Sequence, residues 1–254
     1  MQVEAAVSTI GDAGVEAIEL WGEVPHAYPD WSDRKLLKDV LSAYDFLVTM
    51  HAPFTDLNPA SSFQPVKGAV ERTLEDFVKF GSYLGASMIT VHPGSVHNEG
   101  LVQQSSRNSI ETLKKMVRAG GGSLTINVEN QTKSRSKYHF PLASTTESLE
   151  LILAEVDGLM VTLDTGHAHV NGQDSAALAS RVGPKLLEVH LSDNAGSSDD
   201  HLIPGQGTAN LDPFIAQLAR ANVFICLELD PHRYGRDEVM AAVSETKKKL
   251  DAAL

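Results

Sequence analysis

Short apolar, β-branched runs recur along the whole chain and restrict the folds that it can adopt. Each run is bounded by Gly, Pro or Asp, which is typical of strands buried on both faces of a sheet. Segments with helical spacing lie between the runs, and this alternation predicts an α/β protein with a parallel sheet. The runs cover residues 14–21, 46–53, 87–94, 123–130, 159–166, 186–193 and 223–230.

The helical segments between the runs carry one apolar stripe each. The clearest covers residues 66–85 and places its charged side chains, Glu71 among them, away from the stripe. A second helix is predicted over 107–122, where glycines end it. A third is predicted over 238–254, with lysines near its end. The stripe of the first helix consists of Val70, Leu74, Phe77 and Val78.

The order of these elements predicts a (β/α)8 TIM barrel, with a doubly wound sheet as the second choice. The sequence has no linker, low-complexity tract or compositional break, so residues 1–254 are predicted to form a single domain. The pattern supplies seven strands where a closed barrel needs eight, and the chain starts in a helix-like segment. We therefore expect the first strand to be missing from the N-terminus and an edge to be exposed beside the first visible strand.

The composition narrows the classes of function. The chain has 254 residues and a formal net charge of −12, and such an acidic surface repels nucleic acid at long range. The single cysteine, Cys226, excludes an internal disulfide and favours an intracellular protein. No apolar run reaches the roughly 18 residues of a membrane span, and no signal-peptide pattern is present. A cytoplasmic location without a membrane partner is the expectation.

Six successive runs, from the second onward, end on His, Asp or Glu. In a barrel these ends point to one face, where active sites lie. Crowded imidazoles and carboxylates need a cation or shared protons to coexist. Their mixture of nitrogen and oxygen ligands suits Zn²⁺, Mn²⁺ or Fe²⁺, so the sequence predicts a metal site. The strand-end residues are His51, His92, Glu129, Asp164, His190 and Glu228.

Further candidates flank these strand ends. His167 follows Asp164 by one helical turn, and Asp199 and His201 lie in the loop SDNAGSSDDHLIPGQG. Asp193 has two interpretations, a partner that orients His190 or a turn aspartate.

Other residues near the strand ends are candidates for contacts with a substrate. Trp21, Glu23 and Phe54 follow strand ends and are candidates for the wall of a pocket. Lys133 and Arg135 follow Glu129, where they either hold a phosphate or belong to a solvated loop. The sequence has no P-loop, nucleophile elbow or Cys–His pair, so nucleophilic catalysis by a side chain is not indicated.

Taken in order, the strand-end motifs resemble those of the xylose isomerase-like TIM barrels. This superfamily contains sugar isomerases and epimerases together with the endonuclease IV family. The resemblance covers nearly the whole chain, and the order and spacing of the motifs make it specific. The motifs are GVEAIELW, HAPF, HPGS, VEN, LDTGHA, HLSDN followed by DDHLIPGQG, and LELD.

The epimerase branch implies a metal-dependent isomerase or epimerase of a sugar or sugar phosphate. One divalent ion, zinc or manganese, would be held by Glu129, Asp164, His190 and Glu228. Glu129 and Glu228 would also transfer the proton through a metal-stabilised enediolate. The partner would be the small-molecule sugar, and relatives in this family often form oligomers of identical chains. The expected substrate contacts are Trp21, Phe54, His167, Lys133 and Arg135.

The endonuclease IV branch implies an alternative, a zinc phosphodiesterase that cleaves DNA at abasic sites. Phe54 and Thr55 replace the Tyr-Leu wedge that this family inserts into DNA, and the acidic charge opposes phosphate binding. Both functions stay open, with the sugar enzyme ranked first. The resemblance implies three ions in this branch, held by His51, His92 and Glu129, by Glu129 with Asp164, His190 and Glu228, and by His167, Asp199 and His201.

Overall fold

The structure, a computed structural model, describes residues 3–12, 15–23, 27 and 33–254. The chain divides into two compact units that interleave along the sequence. Unit 1 consists of Met1–Val128, Ser136–Leu142 and Ile152–Met160. Unit 2 consists of Glu129–Arg135, Ala143–Leu151 and Val161–Leu254. The single-domain expectation for residues 1–254 stays a prediction.

Strands and helices alternate through the described residues, as the apolar pattern predicted. The strands are β1 (Ala17–Trp21), β2 (Leu47–His51), β3 (Met88–Val91), β4 (Ser95–Val96), β5 (Thr125–Glu129), β6 (Phe140–Pro141), β7 (Met160–Asp164), β8 (Leu186–Leu191) and β9 (Phe224–Leu227). The α-helices are α1 (Val3–Asp12), α2 (Arg34–Ser42), α3 (Gln64–Leu84), α4 (Val102–Gly120), α5 (Thr146–Glu155), α6 (Thr165–Val170), α7 (Ser175–Val182), α8 (Asp212–Leu218) and α9 (Arg236–Ala252).

Unit 1 contains parallel strands in the order β1, β2, β3 and β5, except that Glu129, the last residue of β5, belongs to unit 2. The register pairs Trp21 with His51 and His51 with Thr90. Because the strands are parallel, their carboxyl ends meet at one edge. Trp21 and His51 therefore lie side by side at that edge, and His92 follows two residues after Thr90.

Unit 2 contains the parallel strands β7, β8 and β9. The register pairs Asp164 with His190 and His190 with Cys226. Side chains alternate between the two faces of a strand, and on β8 both faces are fully buried, with Val189 and His190 each at 0% exposure. Strand β8 is therefore covered on both sides, as its apolar run predicted, whereas β9 is buried only at Phe224 and half-buried beyond it.

Helix α3 follows the predicted pattern with one exception. It ends at Leu84, where Gly85 adopts φ 86° in the left-handed region that favours glycine. The predicted stripe of Val70, Leu74, Phe77 and Val78 is buried. Glu71, which the pattern placed off this stripe, is nevertheless buried. It is 7% exposed, because hydrogen bonds from Lys67 and Lys115 compensate for the loss of water around its carboxylate.

The helix boundaries and the number of parallel strands can also be compared with the sequence predictions. The two later helices begin earlier than predicted, α4 at Val102 and α9 at Arg236. Within the described residues unit 1 contributes four parallel strands and unit 2 contributes three, and β1 comes after α1. The antiparallel β4–β6 pair was not predicted, because two-residue strands leave no periodic signal. No helix in the described part of the chain is long and apolar enough to cross a membrane.

Candidate metal centre

Four of the predicted ligands, all of them in unit 2, lie together at the carboxyl ends of strands. Glu129 ends β5, Asp164 ends β7, His190 lies near the end of β8, and Glu228 directly follows β9. Each side chain offers one ligand atom, and the four atoms lie within 4.8 Å of one another. The sequence pattern therefore located a cluster whose ligand role stays a prediction.

The donor atoms of this four-residue cluster suit a divalent cation. His190 Nδ1 lies 3.0 Å from Glu228 Oε2 and 3.5 Å from Glu129 Oε1. Asp164 Oδ1 accepts the backbone N–H of His167 at 2.5 Å, whereas the buried Oδ2 has no hydrogen-bond partner among the described residues. Three carboxylates around one imidazole leave excess negative charge, which a bound cation would neutralise.

The four side chains differ in their access to water. Glu129, Asp164 and His190 are 1% exposed or less, whereas 39% of the Glu228 side chain is exposed. Solvent therefore screens the pairing of Glu228 with His190 more than any interaction among the other three. The cluster is closed on the side of β5, β7 and β8 and open at the end of β9.

The pKa values of two carboxyls reflect the crowding of charge. Burial raises the pKa of Asp164 to about 7, and the charges of Glu228 and Glu129 add to it while His167 opposes them. Burial also raises the pKa of Glu228, but the adjacent His190 more than offsets this and holds it at about 2. Glu228 is therefore ionised at neutral pH, whereas the ionised form of Asp164 needs a nearby positive charge.

His167, Asp199 and His201 form a second cluster in unit 2. Asp199 Oδ2 lies 3.1 Å from His167 Nε2 and 3.1 Å from His201 Nε2. Burial lowers the pKa of both imidazoles, but the neighbouring carboxylates outweigh the effect of burial. The pKa of His201 is raised to about 9, and that of His167 is raised well above its usual value. Burial raises the pKa of Asp199, but its hydrogen bonds to the two histidines have the larger effect, so the pKa lies below its usual value. The third predicted ligand group is therefore also assembled.

Asp193 organises the loop that carries Asp199 and His201. Its backbone N–H and C=O pair with Leu202, both at 2.8 Å. Gly207 packs so closely here that an added Cβ would lie 2.3 Å from Asp193 Oδ1. Among the two interpretations of Asp193, these contacts support the turn aspartate. Its carboxylate accepts the backbone N–H groups of Asn194, Gly205, Gly207 and Ala209 at 2.8–3.0 Å.

His201 adopts a backbone conformation that residues other than glycine rarely adopt. Its φ is 45°, in the left-handed region. The chain is fixed on the C-terminal side by the pairing of Leu202 with Asp193, and the His201 carbonyl accepts the N–H of Asp230 at 3.1 Å. These contacts hold the imidazole against Asp199.

Two buried polar residues that the sequence analysis did not single out join strand ends in unit 2. Asn130 Nδ2 donates to the Asp164 carbonyl at 3.0 Å, and Asn130 Oδ1 accepts the Asp164 N–H at 2.8 Å. Thr165 Oγ1 donates to the Ser192 carbonyl at 2.7 Å and accepts the Ser192 N–H at 3.0 Å. Each residue directly follows a predicted ligand in the sequence, and this position is the signal that could have identified them.

Unit 1 groups the predicted histidines with exposed aromatic residues. The rings of His51 and His92 meet edge to face with centroids 4.9 Å apart, and Phe54 stacks on His92 at 4.5 Å. Trp21 is 47% exposed and Phe54 38% exposed, with ring centroids 6.4 Å apart. Glu23 Oε1 accepts the N–H groups of Phe54 and the next residue at 2.6 and 2.7 Å. Glu23 therefore fixes the loop that presents Phe54, and the substrate contacts of Trp21 and Phe54 stay predictions.

Lys133 and Arg135 are engaged with the backbone of unit 2. Lys133 Nζ donates to the Asn171 carbonyl at 3.3 Å, and its N–H donates to Asn171 Oδ1 at 2.6 Å. The Arg135 guanidinium donates to the Ser197 carbonyl. These bonds support the solvated-loop interpretation of the segment, and a phosphate would have to displace them.

Comparisons with known proteins place the chain in a family. A family model described as a xylose isomerase-like TIM barrel matches residues 7–250. The chain belongs to the xylose isomerase-like TIM barrel family. An uncharacterized protein of Methanocaldococcus jannaschii is 28% identical over 221 residues, which are 84% of this chain and 74% of that protein.

Solved structures of sugar epimerases share the xylose isomerase-like fold of this chain. A D-tagatose 3-epimerase-like protein aligns with a TM-score of 0.83 and 27% identity, covering 94% of this chain and 89% of that one. D-allulose 3-epimerase from Methylomonas sp., solved with D-allulose, aligns with a TM-score of 0.79 and 18% identity, covering 97% and 91%. The predicted family and the predicted TIM-barrel fold are both confirmed, with seven parallel strands among the described residues.

Proposed function

We propose that this protein is a metal-dependent isomerase or epimerase of a sugar or sugar phosphate. The observation that carries the proposal is the position of Glu129 and Glu228, which both approach the same nitrogen of His190, at 3.5 and 3.0 Å. Asp164 completes the cluster. The structural likeness to a D-tagatose 3-epimerase-like protein, at 27% identity, supports a sugar as the substrate class.

The chemistry divides between the two glutamates and the group that the cluster would hold. A divalent zinc or manganese ion held by Glu129, Asp164, His190 and Glu228 would polarise the carbonyl and the adjacent hydroxyl of a sugar. One glutamate takes the proton from the carbon beside the carbonyl, leaving an enediolate of the sugar, and the other glutamate returns a proton. Return to the opposite face inverts that carbon, and return to the neighbouring carbon interconverts ketose and aldose.

The environments of the two glutamates suit different parts of this transfer. The exposed fraction of the Glu228 side chain is 39%, against 1% for Glu129, so a proton that Glu228 takes up can pass directly to water. We therefore assign proton removal to Glu228 and proton return to Glu129.

Exchange of hydrogen for deuterium in D2O tests the proposal on many sugars at once. Chelator-treated protein would be reloaded with Mn²⁺, Co²⁺ or Zn²⁺ and incubated with a panel of ketoses, aldoses and their phosphates. After incubation with the reloaded protein, NMR should show deuterium on the carbon beside the carbonyl of at least one sugar. Incubation with the chelator-treated protein should give no deuterium at that carbon. A reloaded protein that exchanges none of the panel would contradict the proposal.

The cluster of His167, Asp199 and His201 favours a second candidate, a zinc phosphodiesterase. Asp199 Oδ1 and His201 Nδ1 are buried atoms without a hydrogen-bond partner among the described residues, as expected of a site for a further cation. Metal stoichiometry by elemental analysis separates the candidates. About one ion per chain supports the sugar enzyme, whereas about three zinc ions would direct the next assay to DNA with abasic sites.

A further inference from the structure

We propose that Asn130 is a positioning residue of the candidate metal centre, whose side-chain amide sets the spacing between Glu129 and Asp164. The inference rests on the proposed function in one respect, that the group bound by the cluster is a metal ion. Asn130 is 2% exposed and belongs to none of the predicted ligand sets.

The amide of Asn130 makes the two hydrogen bonds that the backbone of a paired strand would make. Its Nδ2 donates to the Asp164 carbonyl at 3.0 Å, and its Oδ1 accepts the Asp164 N–H at 2.8 Å. The two residues are 34 positions apart in the sequence. Both peptide groups of Asp164 are therefore paired by one side chain, which fixes the Asp164 backbone in two directions at once.

Asn130 is joined to three members of the two clusters. It follows Glu129 directly in the chain, so the backbone position of Glu129 is tied to the amide. Its own carbonyl accepts from His167 Nδ1 at 2.7 Å, and the Asp164 carboxylate accepts the backbone N–H of His167. Loss of the amide would therefore release Asp164 from Glu129 and leave His167 attached to both.

A metal centre is sensitive to such a release because its ligands must be held to about half an ångström. When both carboxyls are ionised, Glu129 and Asp164 carry like charges at close range, and their repulsion favours a wider spacing. The amide opposes that widening by holding the Asp164 backbone to the segment that carries Glu129. Its removal is expected to weaken metal binding about 10- to 100-fold, the range seen when groups that orient metal ligands are lost.

The test compares Co²⁺ binding by the wild type and by Asn130→Ala, followed by visible absorption and by calorimetric titration. Asn130→Ser is the second variant, since its hydroxyl can replace one of the two bonds and leaves a smaller cavity if Asn130→Ala fails to fold. We expect the dissociation constant for Co²⁺ to rise in the order wild type, Asn130→Ser, Asn130→Ala. A changed absorption envelope in the variants would report an altered coordination number.

Asn108→Ala is the matched control. Asn108 is also a 2% exposed asparagine with two hydrogen bonds, donating to the Ser61 carbonyl at 2.8 Å and accepting from Gln104 at 3.0 Å. Neither partner is a predicted ligand. A comparable loss of thermal stability is expected in Asn108→Ala, with unchanged affinity for Co²⁺. A purely structural role of Asn130 would make the two alanine variants alike in both measurements.

The outcomes separate this inference from the proposed function. Wild-type affinity for Co²⁺ in folded Asn130→Ala or Asn130→Ser overturns the inference and leaves the sugar-enzyme proposal intact. Weakened Co²⁺ binding in the variants, together with no deuterium exchange by the loaded wild type, supports the inference and removes the proposed reaction. A wild type that binds no Co²⁺ overturns both.

Discussion

Each unit of this protein buries carboxylates, and the two units balance the charge differently. In unit 1, Glu71 lies between two lysines, 2.5 Å from Lys67 and 2.6 Å from Lys115. In unit 2, Asp164 shares its surroundings with Glu129 and Glu228, and its buried Oδ2 has no hydrogen-bond partner among the described residues. The carboxylate in unit 1 is neutralised by two lysines, whereas the one in unit 2 is neutralised only in part, by His167 at 3.8 Å.

The pKa values report the same contrast. Burial raises the pKa of Glu71, but hydrogen bonds from Lys115 and Lys67 outweigh it and lower it below the ordinary 4.5. For Asp164 burial and the neighbouring carboxylates outweigh the opposing charge of His167 and raise the pKa to about 7. A balanced cluster stabilises the packing of α3 against α4. An unbalanced cluster costs stability and is suited to holding a cation.

Removal of one glutamate from each cluster should give the largest contrast. Glu129→Gln is expected to lower deuterium exchange into the sugar about 10²- to 10⁴-fold, because an amide cannot carry the proton. Its thermal stability without metal should stay near that of the wild type, since one of several like charges is removed. NMR exchange rates and thermal melts measure the two effects.

Glu71→Gln serves as the matched control for Glu129→Gln. It removes the same charge from the balanced cluster and should leave the exchange rate unchanged. Equal exchange rates in Glu129→Gln and the wild type would remove Glu129 from the proton transfer.

Addition of metal should stabilise the protein through unit 2. At a free Mn²⁺ concentration of about 100 times the dissociation constant, the free energy of unfolding should rise by about 2.7 kcal/mol. Asp164→Asn should abolish most of this gain, because it removes a candidate ligand. The helix cap should survive, since the amide oxygen of Asn can accept the His167 N–H that the Asp164 carboxylate accepts now. Denaturant unfolding with and without Mn²⁺ measures the gain. A full gain in Asp164→Asn would contradict its place among the ligands.

Loss of the balanced carboxylate should be costly to stability. Glu71→Gln is expected to lower the free energy of unfolding by about 2 kcal/mol, because Lys67 loses a charged partner while only 8% of its side chain is exposed. Its other partner, Glu111, lies 3.0 Å away and is 62% exposed, so it compensates in part. Denaturant unfolding at neutral pH measures the change. The surface pair of Lys79 with Asp76 supplies the control, and Asp76→Asn should change stability little.

The smallest expected effect is the pH dependence of the Glu71 contribution. Because the folded-state pKa of Glu71 is lowered, its stabilising contribution is complete above about 4.5 and is lost as the pH falls through the lower, folded-state value. The difference in stability between the wild type and Glu71→Gln should therefore shrink as the pH falls below 4.5. Unfolding curves of both proteins at successive pH values measure it. A difference that stays constant into strong acid would contradict the ion-pair account.

The sequence predicted the parts of the site that follow from strand polarity. Asp164 and His190 end neighbouring parallel strands, so their proximity follows once the strands are placed. Residues that join distant segments could not be predicted in the same way. Asn130 reaches Asp164 across 34 positions, and the buried state of Glu71 depends on Lys115, 44 positions away. Local periodicity holds no information about such partners.

The roles of loop residues were also beyond the sequence pattern. Asp193 was expected either to orient His190 or to form a turn, and only the structure shows its carboxylate bound to Gly205 and Gly207. An aspartate after a strand can bind either a side chain on the strand or the backbone of the following loop, and the path of that loop decides between them. That return is set by the pairing of Leu202 with Asp193.

At His201 the left-handed backbone sets stability against the role that this residue has in the second candidate function. Its φ of 45° costs a side chain with a Cβ about 1–2 kcal/mol that glycine avoids. Directed evolution for heat resistance would therefore be drawn to glycine at position 201, at the expense of the imidazole that faces Asp199. Selection for the phosphodiesterase activity of the second candidate function would retain the strained histidine, so the two screens should diverge at this residue.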